Sequence, residues 1–171
     1  MTMGVQTVLT DEQFLSLPES PCKQELLDGR LIELPPAKRL HSRVTKRISH
    51  LLEATLGEEH VWIETAYKLR SGRWLIPDVS VTWPEQGGDE WFQGSPMIAV
   101  EIVSRGNTAA DLDEEVAAYL EEGAAEVWVI YPPTHAMMVF RRDSALRIDG
   151  ATDYHCELIN VTVTPEYRTA A

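Results

Sequence analysis

Cysteine is scarce in this chain: Cys22 and Cys156 are the only two, and their spacing forms neither a zinc site nor a disulfide framework. A reduced, cytoplasmic setting is therefore expected. Long apolar runs are missing too, since nothing approaches the ~20 residues needed to span a bilayer. Met1 to Thr10 lack both a basic start and a long apolar stretch. The expectation is a protein that is neither exported nor embedded in a membrane. Basic residues are few, with 15 Lys and Arg against 27 Asp and Glu and a net charge of -12 at pH 7. This balance argues against broad electrostatic attraction to DNA, which gains most of its free energy when cations displace counterions. Repeats, low-complexity tracts, linkers, glycine-rich phosphate loops and recognisable local Ser-His-Asp spacings are absent. Nothing points to a nucleotide or redox cofactor.

What cations there are cluster. Nine of the fifteen basic residues lie between Arg30 and Arg73. The stretch from Gly106 to Phe140 has none and carries Asp111, Asp113, Glu114, Glu115, Glu121, Glu122 and Glu126. One end can face phosphate while the other repels it. With 171 residues and 44% apolar content, the chain can build one sizeable core, and a single domain over residues 1–171 is expected.

Thr10-Asp11-Glu12-Gln13 has capping-box spacing and predicts a short helix ending before Pro18. Gln24 to Leu27 and Leu31 to Leu34 flank Asp28-Gly29, a dipeptide suited to a tight hairpin turn. From Leu40, the residues Val44, Ile48, Leu51, Leu52 and Leu56 recur at helical spacing up to Gly57. Val61 to Leu69 and Trp74 to Trp83 read as a second hairpin turning at Ser71-Gly72. Glu85 to Ser95 reads as a loop. Met97 to Val103 is an apolar run around Glu101, as in a strand buried on both faces. A second long helix spans Asp111 to Glu122 before Gly123. Val127 to Ile130 and Met137 to Phe140 are strands, the pattern weakens after Arg142, and Tyr154 to Ile159 is a candidate edge strand. The resulting order, α, ββ, α, βββ, α, ββ, predicts an α/β (α+β) domain with one mixed β-sheet flanked by helices. The five tryptophans, 62, 74, 83, 91 and 128, read mostly as core, with Trp91 in the acidic loop the exception.

Two carboxylates stand out. Asp78 after Pro77, and Glu101 inside its apolar strand, would each cost several kcal/mol to bury unless paired or metal-bound. On neighbouring strands they could share one hard divalent cation, which favours oxygen ligands and retains water. Equally, one could pair with an arginine and the other lie at a strand end.

Taken together, Glu25-Leu26-Leu27-Asp28-Gly29, His41 opening a helix, Ile76-Pro77-Asp78-Val79, Val100-Glu101-Ile102-Val103-Ser104, and Tyr119 through Gly123 to Val127-Trp128-Val129-Ile130 resemble the Uma-type family of putative restriction endonucleases. That family belongs to the PD-(D/E)xK nuclease superfamily, and the resemblance covers about residues 10 to 142. It implies a restriction-endonuclease-like fold in which Asp78 binds metal, Glu101 is the second acidic ligand, and Glu25 is an acidic residue supplied by the N-terminal hairpin. Read on its own, Glu25 is a solvated hairpin carboxylate. His41 could orient phosphate or water, or act as a cap or packing residue.

The family's lysine is missing. The superfamily position two residues after Glu101 holds Val103, and the Uma-type position four residues before Tyr119 holds Glu115. Leu112, Glu115, Val116 and Tyr119 share one helical stripe, so Glu115 is expected to aim at the sheet. There it would raise the proton affinity of Asp78 and Glu101 or offer a further ligand, unless it bends out to water. Two other cations are candidates. Lys68 projects to the face opposite Asp78 if residue 65 pairs with residue 78. Arg105 shares the parity of Glu101 and would stabilise phosphate charge but accept a proton poorly.

Two functions follow. The first is a metal-dependent endonuclease acting on DNA with Mg²⁺ or Mn²⁺. Arg39, Arg43, Lys46 and Arg47, on or near the first long helix, would contact phosphates, although Arg43, Lys46 and Arg47 also fit a solvated face. The second is a nuclease fold that no longer cleaves and serves as a binding or assembly module, which the net charge and Glu115 favour. By analogy with nucleases that pair to cut both strands, a homodimer is expected.

Overall fold

The computed structural model describes residues 8–165 except Arg105. Thr10 caps α1 (Asp11–Leu15) as its spacing predicts: its hydroxyl accepts from the Gln13 N–H, and the Gln13 side chain accepts from the Thr10 N–H. β1 (Lys23–Leu27) and β2 (Arg30–Leu34) form the first hairpin. Asp28 and Gly29 turn it with φ of 51° and 78°. Gly29 is required on two counts, because a Cβ there would lie 2.1 Å from Val8 Cγ1 and would strain a left-handed backbone. α2 (Arg39–Leu56) buries Val44, Ile48 and Leu52 and ends at Gly57.

The second hairpin differs from expectation. β3 (Val61–Ile63) pairs with β6 (Val79–Val81), whereas β4 (Tyr67–Lys68) pairs with β5 (Trp74–Leu75). The ribbon breaks between these pieces, at Pro77, which has no N–H for a ladder, and at Glu64, whose φ is 46°. The halves consequently enter different sheets. The Glu64 N–H donates to the Asp78 carbonyl, so residue 64 rather than 65 lies opposite Asp78. Asp78 itself sits just before β6, not in mid-strand.

The stretch expected to be a loop contains β7 (Phe92–Gln93), which runs parallel to β4. β8 (Ile98–Ile102) and β9 (Glu126–Tyr131) are parallel and joined through α3 (Ala109–Glu121), the long crossover that parallel strands require. β10 (Ala136–Arg141) and β11 (Ser144–Asp149) complete a six-stranded sheet in the order β11-β10-β9-β8-β6-β3. A five-stranded sheet, β2-β1-β5-β4-β7, and the pair β12 (Tyr154–Cys156) with β13 (Val161–Val163) hold the remaining strands. Strands thus divide among three sheets rather than one. β11 escapes sequence detection because Ile148 is its only buried residue.

α2 packs on one face of the six-stranded sheet, against Val100, Ile102, Trp128 and Ile130. α3 and the five-stranded sheet cover the other face, around Ala99, Val127 and Val129. All five residues of β8 are buried, as its apolar run predicts. Only Trp74 and Trp128 of the five tryptophans are core; Trp62 and Trp83 are 39% and 40% exposed, and Trp91 packs edge-on against Trp74. Among the described residues no helix is long and apolar enough to cross a membrane.

Glu126 is buried at the start of β9 and fully used. Its carboxylate accepts from Trp128 Nε1 at 2.7 Å, from the Tyr154 hydroxyl at 2.8 Å and from Arg141 Nε at 2.9 Å. This knot ties β9, β10 and the terminal β12–β13 pair together. Tyr154→Phe removes one donor from a buried charge and is expected to lower stability by about 1–3 kcal/mol. Urea unfolding should show a reduced midpoint at unchanged m-value.

Candidate active site

The site is built where the two large sheets meet. Alternation along β1 places Lys23 and Glu25 on one face. Glu25 is 1% exposed and its Oε1 accepts the Ile76 N–H at 2.8 Å. The solvated hairpin carboxylate is thereby ruled out. β6 runs antiparallel to β8 with Val79 opposite Val100, and one further step sets Asp78 against Glu101. Asp78 Oδ2 accepts the Ile102 N–H at 2.7 Å and lies 3.0 Å from His41 Nε2. The other oxygen, Oδ1, lies 3.7 Å from the Lys23 ammonium, which is 3.5 Å from Glu25 Oε1. Glu101 Oε1 accepts from the Tyr119 hydroxyl at 3.0 Å.

Glu115 is buried on the inner stripe of α3 together with Leu112, Val116 and Tyr119, as the helical spacing predicts. Its Oε1 and the Oε2 of Glu25 have no hydrogen-bond donor among the described residues. Burial and the negative charge of Glu25 push the Glu115 carboxyl up to about 8. Burial, with Asp78, Glu115 and Glu25 nearby, holds Glu101 well above the usual carboxylate range. Glu25 is raised by burial against the opposing pull of Lys23. Asp78 falls below its ordinary value because the His41 hydrogen bond and the Lys23 charge outweigh its burial. Lys23 is held firmly protonated: burial opposes its charge, but Glu25, Glu101, Asp78 and Glu115 together overcome it.

A cavity of about 550 Å³ opens over this cluster, with Lys23, His41, Asp78, Glu101 and Ser104 in its wall. Glu25 and Glu115 are not among its lining residues and stand behind it. Among the described residues, no three His, Cys, Asp or Glu side chains already converge as a ligand set. The chemistry nonetheless suits one hard cation. Asp78 and Glu101 are oxygen donors facing the same cavity, a pair suffices for Mg²⁺ that keeps its waters, and two buried carboxylate oxygens nearby lack donors.

The other predicted residues fare differently. His41 reaches the site but is engaged with Asp78 rather than held free for phosphate. Lys46 is exposed and lines a neighbouring depression that shares His41 and Ser42 with the cavity; Arg43 and Arg47, also exposed, line neither. Lys68 turns away to Asp11 at 2.5 Å. It is therefore unavailable, but through this ion pair and the split ribbon, not through the parity argument. Arg105 lies outside the described residues.

Lys23 is the residue that sequence reasoning missed. Its signal was the Lys-x-Glu alternation in the first strand, which puts both side chains on one face. What concealed it was the long separation in sequence from Asp78 and Glu101.

The mixed sheet, with helices on both faces, carries Glu101 on β8 and Asp78 just ahead of the neighbouring β6. A crystal structure from Anabaena variabilis, described as a putative nuclease belonging to DUF820, has a TM-score of 0.81 and 19% identity to this chain, over 92% of this chain and 95% of that one. The restriction-endonuclease-like fold is thus shared. Residues 11–160 match the Uma2 family, described as "Putative restriction endonuclease", and the chain belongs to that family. No curated protein matches the sequence.

Proposed function

We propose that the chain is a metal-dependent endonuclease that hydrolyses phosphodiester bonds in DNA, with its working lysine on the first strand. The observation that carries this reading is the placement of Asp78, Glu101 and the Lys23 ammonium in the wall of one cavity. Asp78 and Glu101 are the residues that would hold Mg²⁺ or Mn²⁺. When bound, such an ion lowers the pKa of a water molecule and offsets phosphate charge.

The protein's own groups divide the remaining work. His41 and the Ile102 N–H fix the Asp78 carboxylate, and Tyr119 fixes Glu101. Lys23, kept charged by four acidic neighbours, donates to a phosphate oxygen and stabilises the charge that accumulates there. It is too firmly protonated to take a proton from water. Glu25 and Glu115 stand behind Lys23; with its carboxyl pushed up to about 8, Glu115 is largely neutral at pH 7 and adds charge there only as pH rises.

Glu115 and the net charge of -12 favour a second reading, a retired nuclease that binds without cutting. Plasmid and single-stranded DNA incubated with Mn²⁺ or with EDTA separate the two, with Asp78→Ala as the control for contaminating nuclease. Cleavage that needs Mn²⁺ and disappears in Asp78→Ala is expected. Intact DNA in all conditions would leave the binding module standing.

A further inference from the structure

Beside the catalytic cavity lies a second, largely apolar groove of about 570 Å³. Leu40, Val103, Tyr131, Pro132 and Pro133 form its walls. It opens where the parallel strands β8 and β9 end, the position at which α/β sheets commonly receive ligands. Lys38, His41 and Ser104 line both spaces, so the groove is continuous with the cavity that holds Asp78 and Glu101.

We propose that this groove receives one unpaired nucleobase next to the scissile phosphate, which makes unpaired DNA the preferred substrate. The inference rests on the endonuclease reading for its phosphate position. Three observations carry it. The groove is apolar and adjoins a cavity whose wall carries the Lys38 and Lys23 cations, so a phosphate and the base attached to it match the two compartments in order. Tyr131, half-buried, and the exposed Pro133 offer flat apolar surface, on which any base can stack through its π-face. A base inside a duplex has both faces covered and cannot use such a surface without leaving the stack. Finally, the acidic chain gains little from counterion release along a duplex, so binding must draw on contacts of another kind.

The test is equilibrium binding in Ca²⁺, read by fluorescence anisotropy of labelled oligonucleotides: a single-stranded 12-mer, the same length with abasic sites throughout, and a hairpin duplex. Wild type is expected to bind the single strand roughly tenfold or more tightly than the abasic strand, the effect of stacking one base, and more tightly than the duplex. Tyr131→Ala should bind the two strands alike, and Tyr131→Phe should behave as wild type. Equal affinity of wild type for normal and abasic strands overturns the proposal without recourse to any variant. So does a duplex preference. Cleavage assays on the same oligonucleotides keep the two readings apart: base discrimination without cutting retires the nuclease and leaves the groove, whereas cutting without base discrimination does the reverse.

Discussion

Lys23→Gln is expected to slow DNA cleavage by about 10²–10³-fold, the usual effect of removing one donor from developing charge in a desolvated site. Glutamine keeps a hydrogen-bond donor without the charge, on a side chain one bond shorter. The same change removes an ammonium that lies within 4 Å of both Glu25 and Asp78. Leaving buried charge unpaired destabilises by roughly 3–5 kcal/mol, and Mn²⁺ should recover a large part by replacing the missing cation. Single-turnover cleavage and thermal melts with and without Mn²⁺ measure both effects. The position of Glu115 sharpens the test. Its carboxylate approaches the same cluster from α3, so Glu115→Lys added to Lys23→Gln supplies an ammonium from the opposite side. Partial recovery of cleavage is expected in the double variant. Full activity in Lys23→Gln alone would remove Lys23 from the mechanism.

The second large effect is on stability and has a definite sign. Burial pushes the Glu115 carboxyl up to about 8 from its ordinary 4.5, and Glu101 and Glu25 are raised as well. For an acid raised by folding, the stabilising contribution is complete below the unfolded value and is lost as pH climbs through the folded value. Metal-free protein should therefore lose stability between about pH 4.5 and 8. Asp78 has the opposite sign, since it is lowered, and contributes only to an acid limb below its ordinary value of 3.8. Lys23 is raised, so its contribution is retained throughout this window. Glu115→Gln should flatten the decline and exceed wild type at pH 9 by on the order of 3 kcal/mol. Melting temperature against pH in EDTA checks this. A parallel offset at every pH would assign Glu115 a packing role instead. Mn²⁺ should stabilise wild type most at alkaline pH, where carboxylates need no proton removed before they bind it.

Much of the fold was legible because its signals are local. The Thr10 capping box, the Asp28-Gly29 turn, the periodicity of α2 and α3, and the buried run of β8 each rest on a few consecutive residues, and each formed as expected. The same locality revealed Asp78 and Glu101, since a carboxylate in an apolar stretch is conspicuous wherever the chain goes. It also placed Glu115 on the inward stripe. Local reading failed at the second hairpin, where a break at Pro77 and Glu64 moved the pairing by one residue and split the ribbon between sheets. A parity argument cannot survive such a break, because alternation holds only within an unbroken strand.

The sequence by itself determined most of the elements, the acidic pair and the inward placement of Glu115. Only the tertiary structure decided that Lys23 joins that pair. Lys23 acquires meaning when β1 pairs beside β5 and carries its ammonium to Asp78, a residue more than fifty positions away. The reason is physical: a strand's alternation says which residues share a face, but the packing of one sheet against another decides what that face meets.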